Sequence, residues 1–266
     1  MSLNGLAVLN IELTSRCNKS CFMCGRRAIE KDHPEIEENW GDMQFKLVEH
    51  ISTQVPEDIT IQFHNNGEPT LYPKLKEALQ LFPRNIRCFN TNGKLLVDKA
   101  FDIIGNLETL TVSVIQDDDE SDEQYKIVKD FLAIKGDNKP YMVYRLLGEI
   151  KNKERWEKLP GLITTRPLHN ALGSFNYKKK VTIPEVGFCL DLMNHLCINK
   201  NGSVSICVRF DPDGHGILGH LLSDSLEDLW NSPMRRDLIK EHLKGNRAAN
   251  KLCEKCHFYG VPRGVD

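Results

Sequence analysis

Short β-rich runs alternate with helical stretches from residue 8 to about residue 166 of this sequence. Strands are predicted at residues 8–13, 59–63, 86–91, 110–115, 141–146 and 162–165. Helices are predicted between them, at residues 43–55, 73–82, 97–104, 122–135 and 151–159. This alternation is typical of parallel βα units. Roughly five or six units are too few for a closed eight-fold barrel, so residues 1–166 are predicted to form an open, partial α/β barrel.

Polar and cysteine motifs follow several of the predicted strands. Cys17 follows the first strand, residues 64–69 follow the second and residues 90–93 follow the third, while Arg145 closes the fifth. The carboxyl ends of parallel strands meet at one edge of a sheet, where α/β proteins bind their ligands. The sequence therefore predicts a binding site at this edge.

Composition excludes several classes of function. The chain has 266 residues and a net charge of −2, so its overall charge does not indicate a surface that binds nucleic acid or anionic lipid. No apolar run approaches the roughly 20 residues that span a bilayer. Residues 1–10 lack the basic and apolar segments of a secretory signal. We expect a cytoplasmic protein with neither nucleic acid nor membrane as a partner.

The nine cysteines are grouped in a way that indicates metal binding. Cytosolic cysteines in clusters are more often metal or redox sites than disulfides. Cys17, Cys21 and Cys24 form a C-x3-C-x2-C loop directly after the first predicted strand. Three thiolates on one short loop can hold three irons of a four-iron cluster and leave the fourth iron open to a ligand. Structural zinc prefers four ligands, and His33 is the available fourth.

This loop resembles the signature of the radical S-adenosylmethionine (SAM) superfamily. The resemblance implies a 4Fe-4S cluster whose open iron chelates the amino and carboxylate groups of SAM. It also implies reductive cleavage of SAM to a 5′-deoxyadenosyl radical, which abstracts a hydrogen atom from the substrate. The position before the third cysteine, usually aromatic in the family, is Met23, which is apolar and flexible enough to pack beside adenine.

Further positions match motifs of the same family. Residues 66–69, Asn-Gly-Glu-Pro, resemble the turn that binds the SAM amino group, and residues 91–93 resemble its Thr-Asn-Gly turn. Glu68 supplies a carboxylate for an ammonium. Ser113 matches a position that often contacts the ribose, and Arg145 is a candidate for the SAM carboxylate or a substrate anion. The SAM-binding residues that the resemblance implies are Met23, Asn66, Gly67, Glu68, Pro69, Asn92, Ser113 and Arg145.

The pattern changes after residue 166, where residues 167–188 are predicted to be a linker. Runs 195–199 and 203–207 flank an Asn-Gly pair and predict a β-hairpin. Asp224 is predicted to cap a helix that ends at Trp230, and a second helix is predicted from Pro233 to Leu243. Residues 189–266 are expected to be a small second domain that depends on a metal site for rigidity.

The remaining clustered cysteines form a second possible ligand set, Cys189, Cys207, Cys253 and Cys256. Four thiolates can fully ligate a second four-iron cluster, or bind zinc as in a zinc ribbon. The arrangement resembles the twitch domain, the shortened relative of the SPASM domain, which implies an auxiliary 4Fe-4S cluster. Cys88 is predicted to pack in the sheet. Cys197 is either a buried thiol without a metal, a hydrogen-atom donor or an alternative cluster ligand.

The layout resembles that of a twitch-containing radical SAM dehydrogenase of cyclitols. This implies hydrogen abstraction from a small hydroxylated substrate, such as a sugar, cyclitol or aminoglycoside-like molecule, with the auxiliary cluster as electron relay. It also implies a flavodoxin or ferredoxin as electron donor. Candidate substrate-facing residues are Arg145, Arg166, His169, Arg209 and Asp211.

Other functions remain open from the sequence. A radical SAM epimerase would use Cys197 as hydrogen donor. Cys197 is therefore one candidate catalytic residue, and Arg145, which can contact a substrate anion, is the other. A peptide-modifying radical SAM enzyme is a second alternative. A zinc-stabilised binding module without catalysis is a third, which would need neither an open iron nor a SAM pocket.

Overall fold

The computed structural model describes residues 2–166, 168, 189–254 and 256. The strands are β1 (Val8–Ile11), β2 (Thr60–Gln62), β3 (Ile86–Thr91), β4 (Thr109–Ile115), β5 (Tyr141–Leu147), β6 (Leu162–Arg166), β7 (His195–Ile198), β8 (Ser203–Ser205) and β9 (Ile217–His220). The helices are α1 (Arg26–Asp32), α2 (Pro34–Glu37), α3 (Phe45–Ser52), α4 (Leu75–Gln80), α5 (Ala100–Ile103), α6 (Ser121–Lys135), α7 (Lys153–Glu157), α8 (Leu190–Asn194), α9 (Leu226–Trp230), α10 (Pro233–Leu243) and α11 (Lys251–Glu254). The predicted linker, apart from Leu168, and the candidate His169 lie outside the described residues.

The nine described strands form one sheet in the order β6-β5-β4-β3-β2-β1-β7-β8-β9. Neighbours from β6 to β7 pair in parallel, and β7, β8 and β9 pair antiparallel. The predicted hairpin thus extends the barrel sheet, because β7 lies directly beside β1 with Val8 opposite His195. The sheet is not closed, which confirms the predicted fold class of an open α/β barrel followed by a hairpin region.

The two faces of the sheet differ in chemistry, because side chains alternate along a strand and registered neighbours share a face. The face that packs against the helices is buried and apolar, and it includes Leu9, Ile11, Ile61, Phe89, Leu110, Val112 and Tyr144. The opposite face, called the polar face below, carries Asn10, Glu12, Gln62, His64, Cys88, Asn90, Thr111, Ser113, Arg145, His195 and Cys197. Parallel strands buried on both faces are almost continuously apolar, so the polar face indicates a binding surface.

Local sequence signals predicted some element ends and missed others. The helix predicted from Pro233 to Leu243 is confirmed, with the Ser232 side chain accepting from the Arg235 amide. The cap predicted at Asp224 is wrong. Ser225 caps α9, because its side chain accepts from the Asp228 amide, while the Asp224 carboxylate accepts from the His220 amide. Among the described residues, no helix combines the length and apolar character needed to cross a membrane.

Candidate active site

The first cysteine set lies on the loop between β1 and α1. Cys17, Cys21 and Cys24 are half-buried, and the Cys24 amide donates to the Cys21 carbonyl at 3.1 Å. Burial raises the pKa of all three thiols, that of Cys21 to about 12, and negative charge on Cys24 adds to the shifts of Cys17 and Cys21. A bound metal reverses this balance, because coordination deprotonates a thiol outright.

The second cysteine set is gathered from distant parts of the chain. Cys189 precedes α8, Cys207 follows β8, and Cys253 and Cys256 lie on and just after α11. Burial raises the pKa of Cys207 and of Cys253 to about 12, and negative charge on the other thiols of the set adds to both shifts. An apolar cluster packs against three of these cysteines and consists of Leu192, Ile206 and Leu238.

Both donor sets consist of cysteine thiols, which hold the irons of iron–sulfur clusters and also bind zinc. Among the described residues, no three Cys, His, Asp or Glu side chains are placed to hold one metal ion. Zinc draws its thiolates to about 2.3 Å and therefore close together, whereas each thiolate of a cubane cluster binds a different iron. The thiols influence one another electrostatically without reaching the geometry of a mononuclear site.

The Asn-Gly-Glu-Pro turn packs directly against the first cysteine loop. The Glu68 amide donates to the Arg16 carbonyl at 2.8 Å. A Cβ atom on Gly67 would lie 2.1 Å from the Thr14 carbonyl oxygen, so only glycine allows this approach. Arg26 Nη1 donates to the Ser15 carbonyl at 2.5 Å and to the Asn66 carbonyl at 3.4 Å. The residues predicted to bind SAM are therefore adjacent to those predicted to bind iron.

Glu68 joins this turn to the Thr-Asn-Gly turn. Its Oε1 accepts from the Thr70 amide, the Thr70 hydroxyl and the Thr91 hydroxyl, and its Oε2 accepts from the Asn92 amide at 2.7 Å. Burial raises the pKa of Glu68, and these donors oppose the shift. The carboxylate is thus mainly a connector of two turns. Oε2 makes one of the four bonds and retains capacity for a further donor.

The remaining predicted SAM contacts surround the same place. Asn92 Nδ2 donates to Asn18 Oδ1 of the cysteine loop at 2.8 Å. Met23 is half-buried on that loop, and Pro69 is buried at the start of a 3-10 turn. Ser113 lies on the polar face opposite Arg145 in the register of β4 and β5. The three turns and the polar face therefore meet at the carboxyl ends of neighbouring strands, as the sequence predicted.

A hydrogen-bond network on the polar face was missed by sequence reasoning. Asn10 Nδ2 donates to the His64 carbonyl at 2.6 Å, so Asn10 Oδ1 accepts from His195 Nε2–H, also at 2.6 Å. The Nδ1 atom of His195 then faces Asp191 Oδ1 at 3.9 Å. The sequence pattern that could have predicted this network is the alternation of the polar Asn10 and Glu12 with leucine and isoleucine, in a strand that should be apolar.

The two unclustered cysteines also lie on the polar face. Cys197 is fully buried, opposite Asn10 and Ser205 in the sheet, with its Sγ 3.9 Å from Asn199 Oδ1. Burial raises the pKa of Cys197 well above its ordinary value, so the thiol keeps its proton. Cys88 packs in the sheet on β3, and burial raises its pKa to about 11.

Comparison with known protein families identifies the C-terminal region. Residues 189–257 match SPASM, an iron–sulfur cluster-binding domain. A curated relative from Pyrococcus furiosus, a tungsten-containing aldehyde ferredoxin oxidoreductase cofactor-modifying protein, is 35% identical over 104 residues. This match covers 37% of the chain and 27% of that relative, so it spans about a quarter of the relative's length.

Solved structures share the fold at low sequence identity. BtrN in complex with AdoMet and 2-DOIA has a TM-score of 0.62 at 19% identity, covering 95% of this chain and 93% of that one. Streptococcus suis SuiB bound to S-adenosylmethionine has a TM-score of 0.61 at 15% identity, covering 97% and 73%. Histidine-tagged anSMEcpe with bound AdoMet has a TM-score of 0.60 at 12% identity, covering 96% and 86%.

These findings define the class of the protein. The chain has the fold of BtrN, SuiB and anSMEcpe, and its residues 189–257 match the SPASM iron–sulfur cluster-binding domain. The family recognised from the cysteine motifs is therefore confirmed at the level of fold and domain.

Proposed function

We propose that this chain is a radical SAM enzyme that takes a hydrogen atom from a small hydroxylated substrate and oxidises a carbinol to a carbonyl. One observation carries the proposal. The C-x3-C-x2-C loop, the Asn-Gly-Glu-Pro turn and the Thr-Asn-Gly turn are bonded to one another at the strand ends, next to the polar face. The structures of BtrN, SuiB and anSMEcpe with AdoMet support the same assignment.

The residues fit two iron–sulfur clusters and SAM. Cys17, Cys21 and Cys24 would hold the first cluster, and Cys189, Cys207, Cys253 and Cys256 the second. When bound, these groups would supply the 5′-deoxyadenosyl radical that removes one hydrogen atom and the acceptor for the electron released next. A fully cysteine-ligated second cluster suits electron relay better than substrate binding.

The protein itself must accept the proton that the substrate hydroxyl loses. His195 is placed for this role. Because Asn10 Oδ1 accepts from Nε2–H, the lone pair of neutral His195 is on Nδ1, and Asp191 lies 3.9 Å from that atom. A carboxylate beside the nitrogen that accepts the proton stabilises the imidazolium that forms. The nearby His195 ring, together with the positive charges of Arg209 and Arg166, holds the pKa of Asp191 below its usual range, so Asp191 stays ionised.

A second candidate is modification of an enzyme cofactor. The 35% identity over 104 residues to the cofactor-modifying protein of Pyrococcus furiosus favours it. Redox-neutral epimerisation with Cys197 as hydrogen donor finds less support, because Cys197 is 0% exposed. Substrate screens should therefore contain both cyclitols and the cofactor of tungsten-containing aldehyde ferredoxin oxidoreductase.

The test uses protein purified and reduced without oxygen. We expect about eight irons per chain, as two four-iron clusters require, and conversion of SAM to 5′-deoxyadenosine. Cys17→Ala should abolish cleavage, whereas Cys88→Ala, which removes a cysteine outside both sets, should retain the full iron content. Stoichiometric zinc with no 5′-deoxyadenosine from wild-type protein contradicts the proposal.

A further inference from the structure

Arg145 is a half-buried cation on the polar face. Among the described residues, its guanidinium makes no ion pair or hydrogen bond to a protein group. Burial lowers the pKa of Arg145, and the positive charge of Arg166 on the neighbouring strand lowers it further. The adjacent Cys88 offers no compensating anion, because burial raises the pKa of that thiol to about 11. Among the described residues, Arg166 also interacts with the Asp191 carboxylate, whereas Arg145 has no carboxylate partner.

This arrangement is unfavourable for the ligand-free protein. A cation removed from water needs a partner, and buried charges in proteins are normally paired. Other buried arginines of this chain have protein partners, such as the backbone carbonyls that accept from Arg235. Arg87 on β3, for example, donates to both oxygens of Glu108 at 3.0 and 2.7 Å. The lack of a partner at Arg145 therefore indicates a ligand that brings a negative charge.

His64 offers a second donor to the same place. The Asn90 amide donates to His64 Nδ1 at 3.2 Å, so the ring proton is on Nε2. In the described part of the chain, Nε2 has no hydrogen-bond partner. Burial lowers the pKa of His64 to about 3, with the charges of Arg145 and His195 as further causes. His64 is therefore a neutral imidazole that presents an N–H group, while Arg145 carries the charge.

We propose that Arg145 and His64 bind an oxyanion group, a carboxylate or a phosphate, on the substrate. Arg145 supplies the charge and the planar fork that suits both groups, and His64 Nε2–H supplies a neutral donor. Arg166, exposed at the end of β6, adds positive potential. The inference rests on the proposed function and narrows its substrate to an anionic hydroxylated molecule.

The contacts favour the substrate over the carboxylate of SAM as the bound anion. The groups whose charges act on or respond to Arg145 are His64, Cys88 and Arg166, all on the polar face. The turns that resemble SAM-binding motifs are bonded instead to the cysteine loop, through Asn92 and Asn18. We therefore expect an oxyanion at Arg145 to leave the Asn-Gly-Glu-Pro and Thr-Asn-Gly turns free for SAM, so that both ligands bind together.

The test is calorimetric titration of anaerobic holoprotein, with and without saturating SAM. The probes are inorganic phosphate for a phosphate group, gluconate for a carboxylate, and myo-inositol as the neutral comparator. We expect saturable binding of at least one anion in the presence of SAM. Arg145→Gln should weaken that binding about 30-fold or more, as loss of one partner of a desolvated charge pair does. The matched variant Arg84→Gln, at an exposed arginine paired with Glu57, should leave binding unchanged.

A second measurement separates a binding role from a structural one. Ligand-free Arg145→Gln should melt at the same temperature as wild type or higher, because an unpaired desolvated charge is removed. A fall in melting temperature would assign Arg145 to the fold and overturn the proposal. It is also overturned if no anion binds wild-type protein, or if Arg145→Gln weakens SAM binding tenfold while anion binding is unchanged. SAM cleavage by wild-type protein tests the proposed function independently of these results.

Discussion

Glu12 accepts a hydrogen bond from the amide of Lys200, 188 residues further along the chain, at 3.1 Å. Its other carboxylate oxygen accepts from the amide of Asn66 at 3.2 Å. One buried side chain therefore connects the Asn-Gly-Glu-Pro turn to the turn of the C-terminal hairpin. Nearby, Asn65 Nδ2 donates to Asn199 Oδ1 at 3.2 Å, so two contacts join the same turns. The predicted SAM site and the iron–sulfur domain are coupled through these turns.

Removing the Glu12 carboxylate should destabilise the protein markedly. Glu12→Ala leaves two backbone N–H groups without acceptors, at about 1–3 kcal/mol each, so we expect a total loss of roughly 2–6 kcal/mol. Denaturant unfolding of the anaerobic holoprotein measures it. Glu49→Ala, at an exposed position on α3, is the matched control and should change stability by less than about 0.5 kcal/mol. Equal effects of the two variants would contradict the connecting role.

Gly67→Ala should abolish SAM binding while the protein keeps its iron. The added Cβ would meet the Thr14 and Arg16 carbonyl oxygens at 2.1 and 2.7 Å, which forces the turn away from the cysteine loop. Gly41→Ala is the control, because its Cβ would meet only Lys200 Nζ, at 3.7 Å. Equilibrium dialysis of SAM compares the variants. Wild-type affinity in Gly67→Ala would show that this turn does not contact SAM.

Cys253→Ala should remove the second iron–sulfur cluster and leave the first in place. We expect loss of about four irons per chain, with cleavage of SAM to 5′-deoxyadenosine retained and oxidised product lost. The reason is that the first cysteine set is complete without Cys253, whereas electron relay requires the second set. Iron analysis and product assays on the same preparation measure both effects. Unchanged product formation with half the iron would argue against electron relay.

Cys197→Ser distinguishes net oxidation from epimerisation. The serine hydroxyl can donate to Asn199 Oδ1, as the thiol does now, so the fold should tolerate the change. For a dehydrogenase we expect product formation within about threefold of wild type, because a 0%-exposed side chain has little access to substrate. For an epimerase, the variant would cleave SAM but form no epimer. Product analysis in deuterated buffer gives the answer, since an S–H donor transfers solvent deuterium.

His64 should make stability depend on pH in the acidic range. Its pKa falls from about 6.5 in the unfolded chain to about 3 in the folded protein, chiefly through burial. The unfolded state binds the proton more tightly, so stability is fully present above about 6.5 and falls by about 1.4 kcal/mol for each pH unit below it. Between pH 7.5 and 5.5, His64→Gln should lose about 1.4 kcal/mol less than wild type in denaturant unfolding.

Glutamine preserves the acceptor for the Asn90 amide at that position, so the fold should survive the substitution. His50→Gln, at an exposed position on α3, is the matched control and should leave the slope as in wild type. A slope that persists in His64→Gln would show that His64 titrates freely in the folded protein.

The sequence by itself determined the βα alternation, the hairpin and both cysteine sets. These features depend on periods of two and about 3.6 residues, on positive φ at Gly202 and on short ligand spacings, all of which are local. The same local signals misplaced one cap, since Asp224 and Ser225 are both acceptable N-caps. Backbone contacts then decided between them.

The tertiary structure alone decided which distant residues meet. Local periodicity gives no information on the pairing of β1 with β7, which places Asn10 beside His195, 185 residues away. It likewise could not show that Glu12 serves the hairpin turn, or that Arg145 lies near His64 without a carboxylate. Such contacts follow from strand order and register, which are fixed by burying the apolar face of the whole sheet. The polar residues on the opposite face are brought together as a consequence, and the proposed substrate site lies among them.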